Sequence, residues 1–329
     1  MMNPPLWMVL GTLIPTFGFG LFYLWRAVRT NRFDAIMFPL VAAYGIWIEH
    51  ATVKSTEAYD YPDMLLMVWS PPDWIPVAVG VSWAIVVYVA MQATDRMGIA
   101  KWQRPFVDGA MAVMIDLVMD PVTSASVLVP SNSTSTTCMA VEGDRFGGVG
   151  MWLWCVPEQH AYLWYNVPYS NFIGWFLVVF VASATIRAGR ALTRVDERPL
   201  GAQLAIAVGV TLVASVLVSQ AVQGMIRILR FDLISPALMF YAVCALPVLV
   251  LGWQLRRVEI RNRFEFGLIA FPLFVFVVEP LTFILMGMDR ANWPGSLLLL
   301  LGTALFGALL FALPYIGHLR RAPTTAPPA

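Results

Sequence analysis

Long apolar runs dominate the chain and are separated by short polar segments. Each run holds about 20 mostly apolar residues, the length that an α-helix needs to cross a bilayer. Backbone groups in lipid must be satisfied internally, so such runs predict helices. The runs lie at about 6–26, 35–52, 74–94, 105–121, 170–188, 201–224, 235–254, 264–286 and 296–315. The pattern predicts an all-α fold, a polytopic transmembrane helix bundle of about nine spans that forms one domain over residues 1–329.

Positive charges fall on alternate sides of this predicted bundle. Sixteen of the 21 Lys and Arg residues lie in the loops after the odd-numbered spans. The other side holds Lys54, Arg145, Arg227, Arg230 and Arg290. Cytoplasmic loops carry the excess of Lys and Arg, so we predict the N-terminus outside and the C-terminus in the cytoplasm. A wrong span count would break the alternation.

Composition agrees with a multi-pass protein of the cell (cytoplasmic) membrane. Of the 329 residues 59% are hydrophobic and 12% are charged, whereas soluble proteins average about 25% charged. The net charge of +1 gives no electrostatic basis for binding nucleic acid. The first run lacks the charged start and the cleavage site of a signal peptide, so we expect a retained first span.

Two predicted outer loops are long, at about 53–73 and 122–169. The second contains Cys138 and Cys155, which this topology places on the oxidising side. A disulfide bridge and two free thiols remain open alternatives. Cys244 lies mid-span, where we expect a packing role.

Several kinds of chemistry lack the residues they need. The chain has three histidines and no HExxH or CxxC motif, so we predict no metal site. It has no Walker loop and no G-x-G-x-x-G motif for a nucleotide, and no G-x-S-x-G motif. Both lysines, Lys54 and Lys101, fall in loops, which excludes a retinal pigment. Cofactor-free acid–base chemistry, transport and a scaffold role remain.

The acids inside predicted spans are the first candidates for function, because an ionisable side chain in lipid is costly. Asp116 and Asp120 are four residues apart and share one helix face. Two such carboxylates do not both ionise readily, so one is expected to keep a proton that it can donate. The alternative is that Asp120-Pro121 marks the helix end and Asp116 bonds a neighbouring helix.

The other acids have competing interpretations. Glu49 and His50 end span two, where a functional and an interfacial role are equally open. Asp108 lies one turn into span four and is interpreted as a boundary residue. For Glu279 in span eight a functional role such as proton coupling is an alternative, but we predict a buried ion pair with Arg227 or Arg230.

Aromatic residues cluster on the predicted outer side. An interfacial belt explains several of them. Alternatively, Tyr61, Trp152, Trp154 and Trp175 form an aromatic-walled pocket that holds an apolar substrate and stabilises a cation through the ring faces. The topology brings three segments to this leaflet and allows one shared site. The segment after span two contains Glu49, Glu57 and Tyr61. The end of span four contains Asp116 and Asp120, and residues 165–175 lead into span five.

Motifs over about 49–190 resemble a known family. The first is an acid, Glu57, before the Tyr-x-Tyr element of Tyr59 and Tyr61, and Pro76 and Trp83 follow it. Next come the D-x3-D-P run from Asp116 and the W-x-W of Trp152 and Trp154. The last is the V-P-x-x-N-F-x-G-W string at 167–175. In order and spacing they resemble the carotenoid biosynthesis protein family that includes the bacterial carotenoid 1,2-hydratases.

The resemblance implies a hydro-lyase that adds water to the terminal alkene of an acyclic carotenoid without a cofactor. It implies proton donation by Asp120 or Asp116, activation of water by the partner carboxylate or Glu57, and a cation held against Trp152, Trp154 or Tyr61. Asn171 would orient the water or cap its helix. Implied partners are membrane lipid, a hydrophobic carotenoid-like substrate and other enzymes of the pathway. The alternatives are an acid-initiated cyclase or isomerase of another isoprenoid or lipid, a transporter and a scaffold subunit.

Overall fold

The computed structural model describes residues 6–56, 59–61, 64–70, 73–97, 99–129, 151–157, 162–254, 265–285 and 297–316. Within these ranges the chain is mostly helical, and each predicted apolar run coincides with one long helix. The helices are α1 (Leu6–Thr30), α2 (Arg32–Thr56), α3 (Val77–Arg96), α4 (Arg104–Thr123), α5 (Tyr169–Thr193), α6 (Leu200–Arg230), α7 (Pro236–Gln254), α8 (Phe266–Leu285) and α9 (Leu297–Ile316).

Five of these helices are long and apolar enough to cross a membrane, namely α2, α3, α5, α6 and α8. Shorter apolar segments occupy Pro236–Leu246 of α7 and Leu297–Ala312 of α9. The helix α4 carries Asp108, Asp116 and Asp120, so its composition is less apolar than that of its neighbours. The helical bundle is therefore compatible with the predicted membrane protein.

Several helices extend beyond the predicted apolar runs. The largest difference is in α6, which continues to Arg230 rather than ending near residue 224. A hydropathy pattern ends where charges begin, but a helix continues while its backbone bonds are favourable. Arg227 and Arg230 lie in its last turn, where positive charge interacts favourably with the helix dipole.

Short strands occupy parts of the two predicted outer loops and the first residues of the predicted third span. They are β1 (Tyr59–Asp60), β2 (Met67–Val68), β3 (Ile75–Pro76), β4 (Ser124–Val129), β5 (Trp152–Pro157), β6 (Leu163–Trp164) and β7 (Val167–Pro168). The central strand β5 pairs antiparallel with β1 and parallel with β4. The segment predicted as an outer loop over about 122–169 thus contains β4 to β7, which a search for runs of about 20 residues overlooks because the strands are short.

The helix α4 is the most enclosed element and packs against α3, α5, α7, α8 and α9. Small residues allow this close approach, as is typical of membrane helices. A Cβ on Gly109 would lie 2.8 Å from the carbonyl oxygen of Phe176 on α5. All three aspartates of α4 are therefore fully buried inside the bundle, with at most 1% exposure.

Ion pairs gather at one end of the bundle. Asp108, which was interpreted as a boundary residue, is instead wholly buried and pairs with Arg187 at 3.0 Å. Arg187 also pairs with Asp95, which accepts a further bond from Arg104. Thr94 and Ser183 donate to the two oxygens of Asp108. Further pairs at the same end join Arg190 to Asp34, and Arg26 and Arg96 to Glu265.

Candidate functional site

A cavity of about 270 Å³ lies at the opposite end of the bundle, beneath the strands. Its wall is formed by α1, α2, α3, α4, α5 and α8 together with β1 and β5. Seven of the nine residues predicted for the site line it: Glu49, Tyr61, Asp120, Trp152, Trp154, Asn171 and Trp175. Asp116 lies one turn below Asp120, and Glu57 falls outside the described residues. Segments far apart in sequence thus converge on one cavity.

Asn171 joins the two aspartates of α4. Its side-chain Nδ2 donates to Oδ2 of Asp116 at 2.8 Å and to Oδ2 of Asp120 at 2.5 Å. The alternative role as a helix cap is wrong, since Pro168 is the N-cap of α5 and no side chain bonds there. The alternative that Asp116 bonds a neighbouring helix is correct, but Asp120 shares the same amide and faces the cavity.

The remaining oxygens of the two aspartates have no hydrogen-bond partner among the described residues. Both Oδ1 atoms are buried, and an ionised carboxylate is costly to bury without donors or a positive charge. The pair is therefore satisfied best when it shares one proton, as expected for adjacent acids in a medium of low dielectric constant.

Glu49, on α2, lines the same cavity as Asp120 and accepts three hydrogen bonds. Tyr59 and Tyr61 donate to Oε2 at 2.5 and 3.0 Å, and the Trp83 indole donates to Oε1 at 2.8 Å. Gly45, one turn before Glu49, leaves the space that Trp83 fills, because a Cβ there would lie 2.6 Å from Trp83 Cβ. The interfacial alternative for Glu49 is thus wrong, as its side chain is enclosed within the site.

The two tyrosines act as fixed donors to Glu49. Burial, followed by the proximity of the Glu49 carboxylate, raises the pKa of Tyr59 and Tyr61 well above the usual value. Both phenols therefore keep their protons throughout the physiological range. Three donors thus fix the position of the Glu49 carboxyl group, and no basic residue lies among the described cavity residues.

Aromatic rings form much of the remaining wall. Trp152 and Trp154 alternate with the buried Leu153 along β5 and so share one face of the sheet. Tyr59 packs against Trp154 with ring centroids 4.7 Å apart, and Trp175 packs against Trp83 at 4.2 Å. All four residues predicted for an aromatic pocket lie here, whereas Trp69 and Tyr162 are exposed as a belt requires.

Glu279 supplies a third acid to the cavity wall. It lies on α8, is 9% exposed, and belongs to none of the ion pairs found in the described part of the chain. The prediction that it pairs with Arg227 or Arg230 was wrong, because both arginines are exposed at the end of α6. Its carboxyl group borders the cavity instead.

The lining is acidic, aromatic and apolar. Glu49, Asp120 and Glu279 face the cavity, and no Lys, Arg or His is among the described lining residues. In the ranges that the structure describes, no group of three or more His, Cys, Asp or Glu side chains is arranged to hold a metal ion. The acids bond amide, phenol and indole donors. Such a site can move protons and stabilise positive charge next to an apolar molecule.

Sequence reasoning missed part of this site. Pro76 and Trp83 entered only through the resemblance, and Tyr59 was also one of the clustered outer aromatic residues. None was given a role, yet all three line the cavity. Their signal was faint, because an aromatic residue near a span end is common in membrane proteins. His50 lies away from the cavity and stacks on Trp69 with ring centroids 4.1 Å apart. Cys138 lies outside the described residues, so a bridge to Cys155 and two free thiols both stay open.

No protein family, curated protein or solved structure matches the chain. Inferences about its activity therefore depend on the chemistry of the cavity.

Proposed function

We propose that this protein is a membrane enzyme that adds water, by acid catalysis and without a cofactor, to the terminal alkene of an acyclic isoprenoid of the carotenoid type. We further propose that the nine helices all span the cytoplasmic membrane, with the N-terminus outside and the cavity in the outer half. Other enzymes of the same pathway would then supply its apolar substrate.

One observation carries the proposal: Asp120, which Asn171 bridges to Asp116, lines the same aromatic cavity as the Glu49 carboxyl group. Asp120 provides the acid, with Asp116 and Asn171 behind it. Glu49 provides the acceptor, held by three donors. Trp152 and Trp154 line the same cavity as these groups. This combination suits a reaction that begins with proton transfer and passes through a cation.

The reaction would proceed in two steps. Asp120 donates its proton to the less substituted alkene carbon, and the π electron pair forms the new C–H bond. The tertiary cation that results is stabilised by the ring faces of Trp152 and Trp154. A water oxygen then bonds to the cationic carbon, and Glu49 accepts the surplus proton. Return of that proton to the aspartate pair restores the enzyme, so the net change is the addition of one water molecule.

The size of the cavity limits what can react. At about 270 Å³ it is at the small end of ligand pockets, which typically measure about 300–1,000 Å³. It accommodates one end group and not a whole long-chain isoprenoid. The substrate's terminal alkene would therefore occupy the cavity while the rest of the chain stays outside it.

The test is expression in a bacterium that accumulates acyclic carotenoids, followed by mass spectrometry of the extracted pigments. We expect a product heavier by one water. Asp120→Asn should lower its formation by about 10²–10⁴-fold, the usual contribution of a positioned acid. Asp232→Asn is the matched control, because Asp232 is exposed in a turn at φ 49°, a conformation that Asn tolerates.

Three outcomes would overturn the proposal. Full activity of correctly inserted Asp116→Asn and Asp120→Asn variants would remove the acid from the mechanism. A product of unchanged mass would indicate a cyclase or isomerase, which uses the same acid and aromatic wall but excludes water. No product despite good membrane insertion would discard the carotenoid substrate and leave a lipid enzyme, a transporter or a scaffold.

A further inference from the structure

The wall of the cavity changes character between its two sides. The acids and indoles described above come mainly from α2 to α5. The other side is formed by α1 and α8, which contribute mostly small and apolar residues: Gly11, Thr12, Pro15, Thr16, Phe271, Phe274, Val275, Val278, Glu279 and Thr282. The proposed reaction uses none of these residues.

In the described part of the chain, the ring contacts, hydrogen bonds and ion pairs that join α1 to α8 lie towards the ion-paired end. The Phe19 ring lies 5.5 Å from the rings of Phe271 and Phe274. The Phe271 backbone N–H donates to Tyr23 Oη at 3.1 Å, and Arg26 pairs with Glu265. In the described residues, no hydrogen bond or ring contact joins the part of α1 before Phe19 to the part of α8 after Phe274.

The cavity reaches the outer surface of the bundle at Gly11. This residue lines the cavity and is also exposed, and a Cβ added there would meet nothing within 4 Å. The side chains on either side of this mouth are apolar and outward-facing: Leu10 (44% exposed), Ile14 (64%), Val277 (54%) and Leu281 (52%). A surface of this composition is stable against lipid hydrocarbon rather than against water.

The mouth also lies below the helix ends. Gly11 is five residues into α1 and Glu279 is six residues from the end of α8, distances of about 8 and 9 Å along the helix axes. On the other side, the sheet that contains β5 covers the cavity. An apolar molecule therefore has a direct path from the lipid, between α1 and α8.

We propose that the cleft between α1 and α8 is a lateral opening through which the hydrocarbon chain of the substrate passes from the membrane, and in which that chain lies during the reaction. The identity of the chain as an isoprenoid rests on the proposed function, whereas the opening itself rests on the geometry of α1 and α8. Glu279 lies at the inner end of this path, where it lines the cavity.

The test measures access to the buried acids from lipid and from water. Carbodiimides react with protonated carboxyl groups, and they are available in membrane-soluble and water-soluble forms. The full-length protein in lipid nanodiscs is treated with dicyclohexylcarbodiimide or with a water-soluble carbodiimide, and modification of Glu279 and Asp120 is followed by peptide mass spectrometry. Wild type is compared with Gly11→Trp, which fills the mouth.

Gly18→Trp is the matched control. Gly18 lies two turns further along the same face of α1, is exposed, does not line the cavity, and has no atom within 4 Å of an added Cβ. We expect the membrane-soluble reagent to label wild type and Gly18→Trp equally and to label Gly11→Trp about tenfold more slowly. A small increase in the activation free energy for entry of the reagent through the mouth is enough to produce this factor. Thr12→Trp, at the same mouth, replaces Gly11→Trp if that variant does not insert.

Equal labelling of the Gly11→Trp and Gly18→Trp proteins would overturn the inference, as would faster labelling by the water-soluble reagent or no labelling of wild type by the apolar one. Failure of the two proposals is distinguishable. Slowed labelling without water addition by wild type would keep the opening and discard the hydratase. Water addition by wild type, with labelling of Gly11→Trp as fast as that of Gly18→Trp, would keep the hydratase and discard the opening.

Discussion

Trp83 donates its indole N–H to Glu49 across a distance of 2.8 Å, which joins α3 to α2 inside the cavity. The bond is possible because Gly45 has no side chain at the point where Trp83 crosses α2. A single glycine thus controls how closely an indole approaches the carboxylate to which we assign the acceptor role.

Gly45→Ala tests this dependence. The added methyl would displace Trp83 and weaken its bond to Glu49, so we expect activity to fall by about tenfold to a hundredfold, the effect of a displacement of about 1 Å in an ordered site. Pigment hydration per inserted protein is the measurement. Gly18→Ala is the control, because an added Cβ there meets no atom. Unchanged activity of Gly45→Ala would show that the indole bond to Glu49 is dispensable.

Asn171→Ala tests whether the amide positions the aspartate pair. Loss of the shared donor should lower the rate by about tenfold or more, since net hydrogen bonds to charged groups contribute about 1.5–3 kcal/mol. Ser170→Ala, at the preceding position, should behave like wild type. In an Asp116→Asn background the Asn171 substitution should cost less, because the two residues then no longer share the interaction. Strictly additive losses would contradict this role.

An apolar tertiary amine tests the cation-binding wall. Its ammonium group imitates the cationic carbon, so the amine should inhibit water addition competitively. Trp152→Leu should weaken the inhibition by about two- to thirtyfold, because the face of a tryptophan contributes about 0.5–2 kcal/mol to binding a cation. Trp102→Leu is the control, as Trp102 is 71% exposed and remote from the cavity. Equal inhibition of both variants would leave the indole without a role.

Arg187→Met tests whether the opposite end of the bundle is structural. It would leave the Asp108 carboxylate buried without its ion pair, at a cost of about 3–5 kcal/mol. The thermal unfolding midpoint in detergent should therefore drop, with little change in activity per folded molecule. Adding Asp108→Asn should restore part of the stability, since no buried charge is then unpaired. A loss of activity at full stability would instead connect this cluster to the reaction.

The sequence by itself determined the helices and much of the candidate site. Hydrophobic runs specify helix positions directly, because apolar length and backbone satisfaction are local properties. Asp116 and Asp120 could be paired for the same reason, since their four-residue spacing fixes a common helix face.

Only the tertiary structure decided which polar groups meet. The partners of Glu49 lie 10 to 34 positions further along the chain, and Asn171 lies 51 positions from Asp120. No local pattern encodes such distances. The same limitation explains the error at Glu279, whose nearest arginines in the predicted topology face outwards, and the unexpected burial of Asp108 beside Arg187. Side-chain packing between helices places these charges, and it depends on the whole bundle rather than on any one segment.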